Sequence, residues 1–220
     1  MAQPERGYGF SMQRILPDIA RGFPWRSQTK MFFGGQGTYG NGAAMRVAPI
    51  GAYFADDIDA CIENARLSAE VTHGHAEAAT GAIAVAVAAA TATNLAAEGG
   101  KVSPRDFLRS LVHKVPLGEV RDGILEAMIL EEGISSVEAA KKLGSGQEIT
   151  AQDTVPFVLW CAANFWFSYE EALWQTVAGL GDRDTTCAMV GGIVAMSSKT
   201  AIPAEWLEKR EKMPAGFERV

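Results

Sequence analysis

The sequence predicts an all-α fold, and three observations carry that prediction. Apolar residues recur at three- and four-residue intervals over most of the chain, the period of a helix with one buried face. Helix-start chemistry, an N-cap residue followed by proline or by glutamate three positions on, stands ahead of several apolar stretches. Alternating runs of β-branched residues bounded by turns are missing, so no segment reads as a strand.

The elements follow in chain order. The start, "MAQPERGYGFSMQR", has no apolar stretch behind a basic segment and gives no secretory signal. "WRSQTKMFF" is no clear strand, and the glycine-rich run Gly35–Gly42, "GQGTYGNG", comes next. Pro49 is expected to interrupt whatever the run opens. The adjacent aspartates of "FADDIDA" (54–60) read as a helix start. From Asp57 onward Ile58, Cys61, Ile62, Ala65, Ala69 and Thr72 recur at helical spacing, up to "THGH".

Ala78 to Ala97 carries no charged residue and is long enough to span a bilayer, but alanine and threonine dominate it and Asn94 would be costly in lipid. It reads as a closely packed core helix. Ser103 with Pro104 gives an N-cap and first-turn proline for "RDFLRSLVHKV", and "EVRDGILEAMILEEG" is a short amphipathic helix. Ser135 with Glu138 and Ser168 with Glu171 both fit a capping box. Between them "DTVPFVLWCAANFWF" is apolar enough for the core, and a last small-residue helix is expected from about Thr186.

A chain of 220 residues, 48% of them hydrophobic, buries one sizeable core and is read as one domain. Its formal net charge of −6 leaves no sequence-wide basic footprint for nucleic acid. Three cysteines, at 61, 161 and 187, are odd in number and widely spaced. They fit a reducing cytoplasm and small buried apolar roles.

Two stretches carry chemistry. Gly35–Gly42 has the spacing G-x-G-x-x-G, yet it lacks the preceding strand and βαβ context of a dinucleotide fingerprint and the closing Lys-Ser or Lys-Thr of a P-loop. Clustered glycines let backbone N–H groups approach a pyrophosphate; the competing reading is an irregular turn between helices. "GLGDRDTTCAMVGGIVAM" places Asp182, Asp184 and Thr185 at the mouth of the last helix, where two carboxylates in a non-helical turn and one hydroxyl offer hard oxygen ligands. The competing reading makes one aspartate a helix cap and leaves the other solvated. His73 and His75 form H-x-H without further ligands at zinc spacing, which is the pattern of a helix end. Phe33 and Tyr39 are open to a packing role or a stacking one, and Arg46 to phosphate neutralisation or to pairing with a carboxylate.

"GNGAAMRVAPIGAYF", "ARLSAEVTHGHAEAATGAIAVAVA" and "GDRDTTCAMVGGIVA", in this order and separation, resemble the ADP-ribosylglycohydrolase family over about Tyr8 to Trp206. The resemblance implies an all-helical bundle around a two-metal site, with magnesium or manganese, that cleaves the glycosidic bond between ADP-ribose and a protein side chain or small acceptor. It assigns Asp182, Asp184 and Thr185 to the metal motif G-D-x-D-T. Thr38, Tyr39, Gly40 and Asn41 fall to the pyrophosphate and ribose loop, Phe33 and Tyr39 to the flanks of the adenine, and His73 to the substrate's vicinity.

Family members usually begin with about a hundred further residues, the size of a small domain, carrying G-D-A-x-G, a substrate-proximal glutamate and T-D-D-T. None of these motifs occurs in this sequence. The expected architecture is therefore N-terminally truncated, the C-terminal two-thirds of the family domain. The catalytic acid is expected in the absent part, from a missing N-terminal segment or a complementing chain. The other functional reading is a non-catalytic module that binds ADP-ribose.

Overall fold

A computed structural model describes residues 9–99, 101–197 and 202–212; Tyr8, the N-terminal limit of the resemblance, lies outside them. Among the described residues there are helices and no strand, and one isolated antiparallel bridge joins Gly40 to Thr150. The helices are α1 (Phe10–Ala20), α2 (Trp25–Lys30), α3 (Ala48–Tyr53), α4 (Ile58–Glu70), α5 (Ala76–Ala97), α6 (Pro104–Val112), α7 (Glu119–Ile129), α8 (Ser136–Leu143), α9 (Val155–Phe165), α10 (Tyr169–Ala178), α11 (Arg183–Val194) and α12 (Ala204–Lys209).

Helix α5 is the axis of the bundle. From Ala82 to Ala90 every residue is buried, so the helix is apolar all round and is covered by α3, α4, α6, α7, α9 and α11. It is long and apolar enough to cross a membrane, and most of it is buried inside the protein. Small side chains permit the coverage. A Cβ on Gly51 of α3 would lie 2.0 Å from the Ala86 carbonyl oxygen, and one on Gly192 of α11 would lie 2.7 Å from Ala48 Cβ. Replacing either glycine would therefore push whole helices apart.

Caps define where the elements start. Asp57 accepts from the Ala60 N–H at 3.0 Å and Ser103 from Asp106 N–H at 3.1 Å. Ser135 and Glu138 form the full reciprocal box. Ser168 supplies half of one: it accepts from Glu171 N–H at 3.3 Å, but the Glu171 carboxylate is drawn to the Gln175 amide at 2.8 Å. Pro49 does not interrupt a helix. It sits in the first turn of α3, where its missing N–H costs nothing. The last core helix begins at Arg183 rather than Thr186, because Asp182 occupies the N-cap position one turn earlier than its polar sequence suggests. "WRSQTK" forms α2.

The N-terminus of α7 is capped from afar. The Glu77 carboxylate, from the first turn of α5, accepts from the N–H groups of Glu119 and Val120, both at 3.0 Å. Gly118 must lack a side chain for this to happen, since a Cβ there would lie 2.0 Å from Glu77 Oε1.

Candidate functional site

The glycine run is a loop laid across the N-terminal ends of α5 and α9. It folds back on itself through Gly37 N–H, which donates to Phe32 O at 3.0 Å. Gly37 rests on Gly74, whose backbone a Cβ would approach to 2.6 Å. The residues after Gly37 pair with the turn before α9: Ala151 N–H donates to Tyr39 O at 2.9 Å and Asn41 N–H to Ile149 O at 3.1 Å. Chain segments more than a hundred residues apart are thereby locked side by side.

Asn41 makes the decisive contact. Its side chain is buried, and Nδ2 donates to Thr154 Oγ1 at 3.1 Å and to Asp182 Oδ2 at 3.0 Å. The Asp182 carboxylate caps no N–H of its own helix; it turns toward the glycine loop instead. This sets the cap reading aside for Asp182. Its backbone is held from the other side, Asp182 N–H donating to Ser145 O at 3.1 Å.

Asp184 and Thr185 lie in the first turn of α11, not in a non-helical turn. Asp184 is exposed and Thr185 is buried. With one Asp182 oxygen engaged by Asn41, the corner offers hard oxygens of the right chemistry for magnesium and too few of them for the six that the ion prefers. Among the described residues no group of three or more His, Cys, Asp or Glu side chains is placed to hold a metal ion.

His73 lies beneath the loop. A Cβ on Gly40 or Gly42 would come within 3.3 Å of its Nε2. Its Nδ1 is 2.7 Å from Thr72 Oγ1, which in turn accepts from Arg46 Nη2 at 2.7 Å. Among the described residues Arg46 meets no carboxylate; its other bonds go to the Gly42 and Ser68 carbonyls at 3.0 and 2.7 Å. Burial, with the Arg46 charge beside it, pulls the His73 pKa down to about 4, so the ring is neutral at pH 7. A neutral ring bonded to Thr72 at Nδ1 presents Nε2 to the underside of the glycine loop.

Phe33, Thr38, Tyr39 and Gly40 line a cavity of about 600 Å³ with His75, Glu77, Glu119, Glu148, Ile149 and Gln152 among its other walls. The Phe33 and Tyr39 rings touch, with centroids 4.9 Å apart, and His75 meets Tyr39 edge-on at 5.3 Å. The three rings form one continuous aromatic wall. Among the described residues, the non-glycine residues with left-handed backbone are Phe33 (φ 50°), Ile149 (φ 59°) and Leu180 (φ 63°). Two of them line the cavity and the third precedes the Gly181–Asp182 corner. For a β-branched residue such as Ile149 this conformation is strained, and it is the antiparallel pairing to Asn41 that holds it.

The predicted residues fall into two groups joined by Asn41. Phe33, Thr38, Tyr39 and Gly40 belong to the cavity, Asp182, Asp184 and Thr185 to the acidic corner, and His73 supports the loop from below. The turn 145–154, with Ile149, Gln152 and Thr154, was not foreseen as part of the site. It has no helical period and no motif, only the polar, glycine-containing composition of a loop. His75 is the N-cap of α5, accepting from Glu77 N–H at 3.1 Å, and lines the cavity as well.

The sequence pattern described as ADP-ribosylglycohydrolase matches residues 1–219. The chain belongs to the ADP-ribosylglycohydrolase family. Its relatives include ADP-ribosylhydrolase ARH3 of Mus musculus, 29% identical over 251 residues that cover 98% of this chain and 64% of the relative. The ARH3 protein of Homo sapiens is 28% identical over 245 residues, 94% of this chain and 64% of the relative. An uncharacterized protein of Archaeoglobus fulgidus is 32% identical over 212 residues, 92% of this chain and 62% of the relative. The chain thus spans slightly less than two-thirds of the length of these relatives. In this glycohydrolase-family chain Asn41 of the stretch 40–54 bonds Asp182 of the stretch 181–195, and His73 of the stretch 65–88 lies against the neighbouring Gly40 and Gly42.

Proposed function

We propose that the chain binds ADP-ribose, free or attached to a protein, and contributes half of a site that hydrolyses the N- or O-glycosidic bond to a protein side chain or small acceptor. The observation that carries this reading is the Asn41–Asp182 hydrogen bond of 3.0 Å, which joins the nucleotide loop to the acidic corner in one site. The aromatic wall of Phe33 and Tyr39 takes the adenine. Backbone N–H groups of Thr38 to Gly40 are assigned to the ribose and diphosphate, with the Asn41 N–H held by Ile149 O. His73 keeps that backbone in place as a neutral support.

In this reading Asp182, Asp184 and Thr185 hold magnesium, or manganese in its place, one ion of the pair expected from the family. Bound there, an ion would supply positive charge and a polarised water to the bond being cleaved. The remaining oxygens come from water or from a complementing segment or chain. The protein's share is to fix Asp182 against Asn41 so that the carboxylate is oriented before the ion arrives. Three free cysteines, two buried and Cys187 half-buried, support placement in the reducing cytoplasm.

The absence of a third acidic or imidazole ligand among the described residues favours a second reading, in which the chain binds ADP-ribose without cleaving it. Isothermal titration of ADP-ribose with and without magnesium, on the wild type and on the Asp182→Ala/Asp184→Ala double variant, separates the two. Magnesium-dependent affinity that the double variant loses supports the metal role. Affinity indifferent to both the cation and the aspartates leaves the binding module.

A further inference from the structure

Among the described residues the Arg46 guanidinium is balanced by no carboxylate and is spent on three oxygens. It donates to the Gly42 carbonyl in the glycine run, to the Ser68 carbonyl near the end of α4 and to Thr72 Oγ1, at 3.0, 2.7 and 2.7 Å. The two carbonyls are an anchor, tying the loop to a helix C-terminus whose last carbonyls want donors. The third bond leads on to His73.

A guanidinium has only donors, so Thr72 Oγ1 accepts from it and keeps one proton to give. Two acceptors are in reach, His73 Nδ1 at 2.7 Å and Ala69 O at 3.4 Å. The longer contact lies outside the usual range of an O–H···O bond, so the proton goes to Nδ1. A neutral imidazole that accepts at Nδ1 carries its own proton on Nε2. Each link strengthens the next, because a hydroxyl already accepting from a cation is the better donor.

Nε2 stands where that proton can be used. Gly40 and Gly42 flank it, and a Cβ on either would lie 3.3 Å away, so glycine at both positions leaves the N–H uncovered by side chains. The buried side-chain polar atoms without a partner among the described residues are Gln28 Oε1, Thr38 Oγ1, Gln152 Oε1 and Ser197 Oγ. His73 Nε2 is not one of these sealed atoms, and the residue is partly exposed. The opposite tautomer would turn a lone pair into the same gap and repel an anionic oxygen there.

We propose that Arg46 and Thr72 are positioning residues that act through His73: they lock the imidazole as its Nε2–H tautomer, which offers a hydrogen-bond donor between Gly40 and Gly42 to an anionic oxygen of the bound ligand. The role in binding rests on the reading that the site takes ADP-ribose; the tautomer itself does not.

Nitrogen-15 NMR of the full chain, with the His73 ring signals identified by their loss in His73→Gln, distinguishes a protonated from a bare ring nitrogen. Near neutral pH the wild type is expected to show Nε2 protonated and Nδ1 bare; a protonated Nδ1, or an even mixture, overturns the relay before any variant is made. Thr72→Val removes the hydroxyl and keeps the shape. It is expected to give a mixture of tautomers and to weaken ADP-ribose binding about three- to tenfold in isothermal titration, the loss of one hydrogen bond. Thr72→Ser keeps the hydroxyl and is expected to keep both the tautomer and the affinity. A packing role predicts the reverse order, since valine retains the methyl that serine lacks. Arg46→Met is expected to yield mixed tautomers as well; an undisturbed Nε2–H ring there removes Arg46 from the chain of donors. A pure Nε2–H ring or an unchanged affinity in Thr72→Val overturns the proposal while ADP-ribose binding stands. A wild type that shows the expected tautomer and does not bind ADP-ribose overturns the function beneath, and the donor's role with it.

Discussion

Removing the amide of Asn41 tests the joint on which the site depends. In Asn41→Ala two side-chain hydrogen bonds are lost, one to the half-buried Asp182 carboxylate at 3.0 Å and one to the Thr154 hydroxyl at 3.1 Å. A hydrogen bond to a charged group contributes about 1.5–3 kcal/mol and a neutral one about 0.5–1.5 kcal/mol. Thr154 keeps a role for its proton, donating to Thr150 O at 2.6 Å, so its loss falls at the low end. The expected destabilisation is about 2–4 kcal/mol, which for a chain of this size lowers Tm by roughly 4–16 °C.

The pairwise part is isolated by a double-mutant cycle with Asp182→Ala, read by urea denaturation. Residues in direct contact couple, and the expected interaction energy is about 1–2 kcal/mol. If the two single effects add to within about 0.3 kcal/mol, the loop and the acidic corner are independent and the reasoning fails.

Acid sensitivity is expected from His73. Its pKa is about 4 in the folded chain against an ordinary 6.5, so the unfolded chain takes up a proton first and folding stability is lost as pH falls from 6.5 toward 4. The loss is about 1.4 kcal/mol per pH unit within that window, and denaturation at pH 5 and pH 7.5 should show it shrinking in His73→Gln; equal acid slopes in both proteins would contradict the assignment. Gly51→Ala drives a methyl to 2.0 Å from the Ala86 carbonyl and should cost about 3 kcal/mol or more, seen as a Tm drop with ADP-ribose affinity lost only through unfolding. Glu77→Ala frees the N–H groups of Glu119 and Val120, and should cost about 2 kcal/mol and accelerate amide exchange at the start of α7; unchanged exchange there would rule out the remote cap.

Much of the scaffold could be read from local rules. The buried stretch of α5 needs only a run of small apolar residues, and the starts at Asp57, Ser103 and Ser135 need only an N-cap and its partners within the next turn. The same rules misplace the start of α11, because the Asp182 carboxylate serves a residue 141 positions away rather than its own helix. They also overstate the box at Ser168, where Gln175 competes for Glu171.

What the sequence by itself determined is the helical class and the order of the helices from α4 to α11, each of which depends on residues within a few positions of one another. Tertiary structure alone decided that Asn41 bonds Asp182, that Ala151 bonds Tyr39, and that Glu77 caps α7. A helix period or a cap is fixed by near neighbours along the chain. A hydrogen bond between distant segments exists only once the packing around α5 has brought their backbones together.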